Sequence, residues 1–142
     1  MSNKSELLRD FEDTWDALWH RPGQAPSVIA NRYTPDFKIH VNSLPNPLNA
    51  EAFTKFVLGW QKAFPDGRME LLDIIDKDNK VWCYWISTGT HSDVYLEVPA
   101  TCRKVAYQGV DIYRYEGGKA AECWAFPDVL TILRQLGALP TP

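Results

Sequence analysis

The spacing of apolar residues changes its period near residue 65 of this chain. Before that point the period is helical. Leu7, Leu8, Phe11, Trp15, Leu18 and Trp19 predict a helix over residues 5–20, with Ser5 placed to cap it and Arg21-Pro22-Gly23 to end it. Pro26 opens a short second helix that reaches Tyr33. Thr34-Pro35-Asp36 reads as a turn, residues 37–41 alternate like a short strand, and residues 42–47 form a Pro/Asn loop. Asn49 then caps a third helix through Phe64, with Phe53, Phe56, Val57 and Trp60 on one stripe.

Pro65-Asp66-Gly67 stops that helix, and the period falls to two. Strands are predicted over residues 68–76, 81–91, 101–115 and 119–126. Asp78-Asn79 and Gly117-Gly118 supply hairpin turns, and residues 92–100 are a looser connection. Asp128 caps a last helix that ends at Gly137. Helices first, then a meander of long antiparallel strands, then a helix describe an α+β fold. Long strands curl, so a curved antiparallel sheet roofed by the N-terminal helices is expected to enclose a cone-shaped cavity. Without repeats, linkers or low-complexity tracts, residues 1–142 read as one domain.

Composition narrows the function classes. The chain is 45% hydrophobic, 23% charged and carries a net charge of −3. Arg103-Lys104 is the longest basic cluster, too little to neutralise a phosphate backbone, so nucleic acid is not an expected partner. No apolar run approaches the ~20 residues that cross a bilayer. The polar, acidic start is unlike a signal or transit peptide, so a cytoplasmic location is expected. Cys83, Cys102 and Cys123 are odd in number and widely spaced, which fits reduced, buried thiols rather than metal ligands. Six Trp, six Tyr and six Phe suit a large core or an apolar ligand cavity.

Several short segments carry a resemblance. They are Phe64-Pro65-Asp66 after the third helix, Gly89-Thr90-His91 ending a strand, and Gly109-Val110-Asp111-Ile112-Tyr113-Arg114. Gly118-Lys119, Trp124 with Pro127-Asp128, and Leu133-Arg134-Gln135-Leu136-Gly137 follow in the same order. The chain resembles the SnoaL-like polyketide cyclase branch of the nuclear transport factor 2-like (cystatin-like) superfamily. The resemblance implies a homodimer with one deep apolar pocket per subunit and no metal or organic cofactor. The family's cyclases close a ring by intramolecular aldol condensation. They use an acid/base Asp one residue after the position of Trp124 and a His at the position of Asp111. Here those two positions are Ala125 and Asp111, so both members of the pair are changed.

Asp111 is the first candidate for catalysis. If position 125 faces the pocket, so does 111, and period two adds Tyr107, Gly109 and Tyr113 to that side. An apolar cavity raises a carboxyl's pKa and poises it as a general acid or base. The competing reading is a structural aspartate bound to backbone or to Arg114. His91, at a strand end, is a candidate proton shuttle or a structural imidazole. Asp128 is an N-cap or a carboxylate at the pocket rim. Trp15, Trp19, Tyr33, Phe56, Trp60, Trp82, Tyr84 and Trp124 are candidates to line the cavity, with Trp15 and Trp60 foremost as wall residues. Tyr84, Tyr107 and Tyr113 are candidate hydrogen-bond donors to an enolate oxygen. His40 and Asn42 mark a pocket entrance.

Three functions are compatible with these residues. The first is a cofactor-free isomerase or cyclase that moves a proton next to a carbonyl in an apolar, polycyclic, polyketide- or terpenoid-like metabolite. The second is an epoxide or lactone hydrolase that pairs Asp111 with Asp128 or His91. The third is a binding protein without chemistry. Pairing of Asp111 with Arg114 or Arg103 would favour the third, whereas an unpaired Asp111 facing a void would favour an enzyme.

Overall fold

The structure, a computed structural model, describes residues 4–140; residues 1–3 and 141–142, the ends of the domain expected from sequence, lie outside it. The elements are α1 (Glu6–His20), α2 (Ala25–Arg32), β1 (Tyr33–Val41), β2 (Leu48–Asn49), α3 (Ala50–Ala63), β3 (Arg68–Lys77), β4 (Lys80–Thr90), β5 (Lys104–Glu116), β6 (Lys119–Pro127) and α4 (Val129–Gln135). They form a curved, unclosed six-stranded sheet in the order β2-β1-β6-β5-β4-β3, with helices at both ends.

The caps sit where local chemistry puts them. The Ser5 hydroxyl accepts from the Leu8 amide and donates to Asp76, which ties the start of α1 to β3. Asn49 accepts from the Ala52 amide at the start of α3. The end of α1 is closed from outside, because the Gln61 amide of α3 donates to the carbonyls of Leu18, Trp19 and Arg21. Asp78-Asn79 and Gly117-Gly118 all take positive φ, as two-residue hairpin turns require.

Two expectations are modified. The sheet is not wholly antiparallel, because β1 pairs parallel with β6. All of α3 and the β3–β5 meander lie between those strands in sequence, and that length permits a crossover. Thr34-Pro35-Asp36 is not a turn but part of β1, which runs unbroken from Tyr33. The register jumps between Tyr33 and Lys38, so Pro35 stands where no ladder hydrogen bond is asked of it. Further irregularities at Leu71/Asp73 and Arg114/Tyr115 interrupt the ladders of β3 and β5. Such bulges bend strands and help curl the sheet.

The concave face packs against α1 and α3. Phe11, Trp15, Leu18 and Trp19 of α1 and Phe53, Val57 and Trp60 of α3 are buried there. α1 also grips the edge strand through its polar groups. The Trp15 indole donates to the carbonyl of Met69 at 2.7 Å, and the Met69 amide donates to Nε2 of His20 at 2.9 Å. At the far end of the helices, Gly67 leaves room for Trp60, whose ring would lie 2.8 Å from an added Cβ. Asp66 accepts from the amide and hydroxyl of Thr90, docking the Pro65-Asp66-Gly67 turn on the end of β4.

A candidate active site around Asp111

On β5 the buried positions alternate through Val105, Tyr107, Gly109, Asp111, Tyr113 and Tyr115. This face looks into the space between sheet and helices. There the structure holds an apolar cavity of ≈ 120 Å³. Trp19, Phe53 and Trp60 wall it from the helices, and Met69, Trp85, Tyr107, Asp111 and Ala125 from the sheet. Leu44, Phe56, Leu96 and Val129 stand at its mouth, all of them outside the buried core.

Asp111 is 5% exposed, and its Oδ1 has no hydrogen-bond partner among the described residues. Both arginines that could have neutralised it are engaged elsewhere. Arg114 bonds Glu116 and Glu122, and Arg103 donates to the Gln135 carbonyl. Loss of hydration therefore dominates, and the carboxyl is pushed up from 3.8 to about 7. The Trp85 indole opposes this by favouring the carboxylate. It does so from nearby without closing a hydrogen bond, since Trp85 Nε1 is likewise unpartnered. An acid that changes charge near neutrality inside an apolar cavity can take or give a proton there.

Trp85 reaches this position because Gly109 has no side chain. The two are cross-strand neighbours, and a Cβ on residue 109 would come within 2.3 Å of the indole Cζ2. Asp111 is flanked across the strands by Cys83 of β4 and Ala125 of β6. Position 125, where the resemblance places the family's acid, thus faces the same cavity one strand away. Side chains so paired have Cβ atoms about 5 Å apart. Also lining the cavity, Tyr95 and Tyr107 have hydroxyls that lie 3.4 Å apart.

Among the residues singled out from sequence, the structure brings Asp111, Tyr107, Trp60, Trp19 and Phe56 to the cavity. The others do not line it, for separate reasons. Trp15 is held behind Trp19 by its bond to Met69. Tyr33 packs edge to face on Tyr113 and Phe37 in the closed core, where Phe37 and Tyr113 stack. Tyr84, Trp82 and Trp124 have the opposite strand parity and emerge on the outer sheet face. There Tyr84 donates to Gln108, and Trp124 stacks on His40, whose Nε2 is 2.6 Å from Glu122. His40 is therefore not at the entrance, and the backbone N–H of Asn42 donates to the Ala125 carbonyl. Asp128 caps α4, with its two oxygens accepting from the amide and the hydroxyl of Thr131.

His91 is fully buried against Phe64. Its Nδ1 accepts from the Thr101 amide at 3.2 Å, which places the ring proton on Nε2. With the backbone bonds from His91 to Arg103 and from Cys102 to His91, it pins both ends of the loop that carries Tyr95 and Leu96. Sequence reasoning did not single out Trp85, Tyr95 or Leu96 as part of the site. Trp85 is hidden in a strand aromatic on both faces, and Tyr95 and Leu96 lie in an aperiodic connection.

Comparison with known proteins gives a consistent answer. AclR of Streptomyces galilaeus, a candidate hydroxylase, is 25% identical and superposes with a TM-score of 0.83 over 96% of this chain and 84% of its own. IdmH of Streptomyces antibioticus, a candidate polyketide cyclase, is 26% identical, with a TM-score of 0.71 over 89% of this chain and 97% of its own. A candidate SnoaL-like polyketide cyclase from Jannaschia sp. CCS1 is 19% identical and shares the fold, with a TM-score of 0.80 over 99% and 100% of the two chains. No curated protein sequence matches. Residues 9–136 match the SnoaL-like polyketide cyclase family, and the chain belongs to that family.

Proposed function

We propose that this protein is an isomerase or cyclase of secondary metabolism that works by proton transfer, with Asp111 as its acid/base group and an apolar carbonyl compound as its substrate. The observation that carries the reading is the buried, unpaired Asp111 carboxyl facing an apolar cavity, where burial pushes its pKa up to about 7. Asp111 takes up the role from β5 that the resemblance assigns to position 125 on β6. The carboxylate removes a proton from the carbon next to a carbonyl, and the electron pair moves onto oxygen to give an enolate. In an isomerase Asp111 returns the proton at another carbon. In a cyclase the enolate carbon attacks a second carbonyl, and the proton goes to the new alkoxide. Either requires the base within about 3 Å of the transferred proton.

The hydrolase reading asks for a second acid in the cavity. Asp128 is engaged as a cap and His91 is turned into the core, so neither supports it. A purely binding role would sit better with an ion-paired Asp111. The reading is tested by incubating the protein in deuterium oxide with cyclic ketones and following deuterium uptake next to the carbonyl. Uptake lost in Asp111→Asn supports it, and uptake unchanged by that substitution removes it.

The outer sheet face supports a homodimer. Ile75, Trp82, Tyr84, Val110 and Phe126 are exposed there on adjacent strands, and a contiguous apolar patch of this kind marks a protein interface. Sedimentation of wild type against Trp82→Arg tests it, and an unchanged dimer or a wild-type monomer refutes it. Cys83 and Cys123 are buried as expected while Cys102 is exposed, and the three free thiols support a reducing, cytoplasmic setting. No helix among the described residues is long and apolar enough to cross a membrane.

A further inference from the structure

Three of the polar groups that line the cavity can only donate. Trp19, Trp60 and Trp85 line it, each is no more than 5% exposed, and none of their indole nitrogens has a hydrogen-bond partner among the described residues. An indole N–H can only donate. A protein rarely leaves one such donor buried and unmet, and here there are three around one space. They have two neighbours. Trp85 stands beside Asp111, and Trp60 stands beside the Tyr107 hydroxyl, whose pKa is raised by burial with only a minor opposing pull from the indole. A matching ligand presents acceptor oxygens to these indoles.

Size sets a second limit. The cavity measures ≈ 120 Å³. An apolar protein cavity of about 150 Å³ holds benzene, so this space is on the scale of one six-membered ring. Outside it, Leu44, Phe56 and Leu96 are 45%, 38% and 38% exposed at the mouth. Leu96 is held there with φ +50°, a left-handed conformation that a leucine adopts only under local constraint.

We infer that the cavity receives a single-ring ketone or lactone end of the substrate, its oxygen atoms held by the indole N–H groups of Trp60 and Trp85, while the remaining apolar part lies across Leu44, Phe56 and Leu96. This replaces the polycyclic substrate expected from sequence with a monocyclic head on an apolar tail. It rests on the proton-transfer reading only for what happens next to the carbonyl. Donors that hold the carbonyl oxygen also suit the enolate, whose charge develops on that same atom.

The test uses intact protein labelled with 15N at the tryptophan indoles, with signals assigned through single Trp→Phe variants and through-space contacts. The probes are cyclohexanone, its hydrocarbon isostere methylenecyclohexane, 4-hexylcyclohexanone and 2-decalone. Cyclohexanone is expected to move the indole protons of Trp60 and Trp85 downfield and to leave Trp15, already bonded to Met69, in place. Methylenecyclohexane should produce no downfield shift. 4-Hexylcyclohexanone should bind at least about tenfold more tightly than cyclohexanone by covering the mouth residues, and 2-decalone more weakly. A ketone that binds without moving these two indoles overturns the inference, as does 2-decalone binding more tightly than cyclohexanone. Deuterium uptake separates this from the proposed function. Indole shifts without Asp111-dependent uptake leave the head-group inference standing and remove the proton-transfer reading. Asp111-dependent uptake without indole shifts does the reverse.

Discussion

Replacing Asp111 with Asn should stabilise the protein, and by an amount that depends on pH. The carboxyl's pKa rises from 3.8 in the unfolded chain to about 7 in the fold, chiefly by desolvation. Below about pH 4 both states hold the proton, and the side chain carries no ionisation penalty. As pH rises above that value the unfolded chain releases its proton while the folded protein keeps it. The unfolded state then binds fewer protons, so stability falls with pH. The slope is about 1.4 kcal/mol per pH unit, and it ends once the folded carboxyl ionises near pH 7. The total is about 4 kcal/mol, a large share of the 5–15 kcal/mol typical of a domain. Asparagine has nearly the same shape and no charge to lose, so its own burial penalty is constant across this range. Urea unfolding of both proteins at equal concentration, from about pH 4 to about pH 8, isolates the effect, because every other titration is common to both. The stability gap should widen in favour of Asp111→Asn by about 4 kcal/mol between those limits and level off above about pH 7. A gap that stays flat would mean that Asp111 is solvated or paired in the folded state, and the electrostatic basis of the site would be lost.

Trp85→Phe removes the indole that favours the Asp111 carboxylate, so the ascending limb of the deuterium-uptake pH profile should move to higher pH. Gly109→Ala sets a Cβ 2.3 Å from the Trp85 ring; it should cost about 1–3 kcal/mol in urea unfolding and shift the Trp85 indole signal. Leu96 and Glu97 take φ +50° and +65° in a two-residue turn between Tyr95 and Val98. Replacing them with Asn-Gly should raise stability by about 1 kcal/mol while weakening 4-hexylcyclohexanone binding, effects of opposite sign from one pair of changes. Asp128→Ala should cost about 1 kcal/mol of stability through loss of the α4 cap, read from the shift in urea midpoint.

The local features of the fold were legible in the chain. Ser5, Asn49 and Asp128 cap helices, Asp78-Asn79 and Gly117-Gly118 turn hairpins, and the change of period after Gly67 separates α3 from the run of strands β3 to β6. Each depends on contacts a few residues apart, which composition and spacing encode directly. Period two also put Tyr107, Gly109, Asp111 and Tyr113 on one side of β5. It did not say how far along that face the cavity extends, so Tyr107 lines it while Tyr113 is sealed in the core. Nor could it assign faces in β4, where Trp82, Tyr84 and Trp85 make both sides aromatic. Only the cross-strand register lays Trp85 over Gly109 and beside Asp111, residues 24 and 26 positions further along the chain. The parallel pairing of β1 with β6 and the seating of Tyr95 and Leu96 over the cavity are long-range in the same sense. Near-neighbour chemistry made the elements of this protein; its site comes from pairings between distant strands, helices and a loop, which alone decide which buried polar groups meet and which are left facing the cavity.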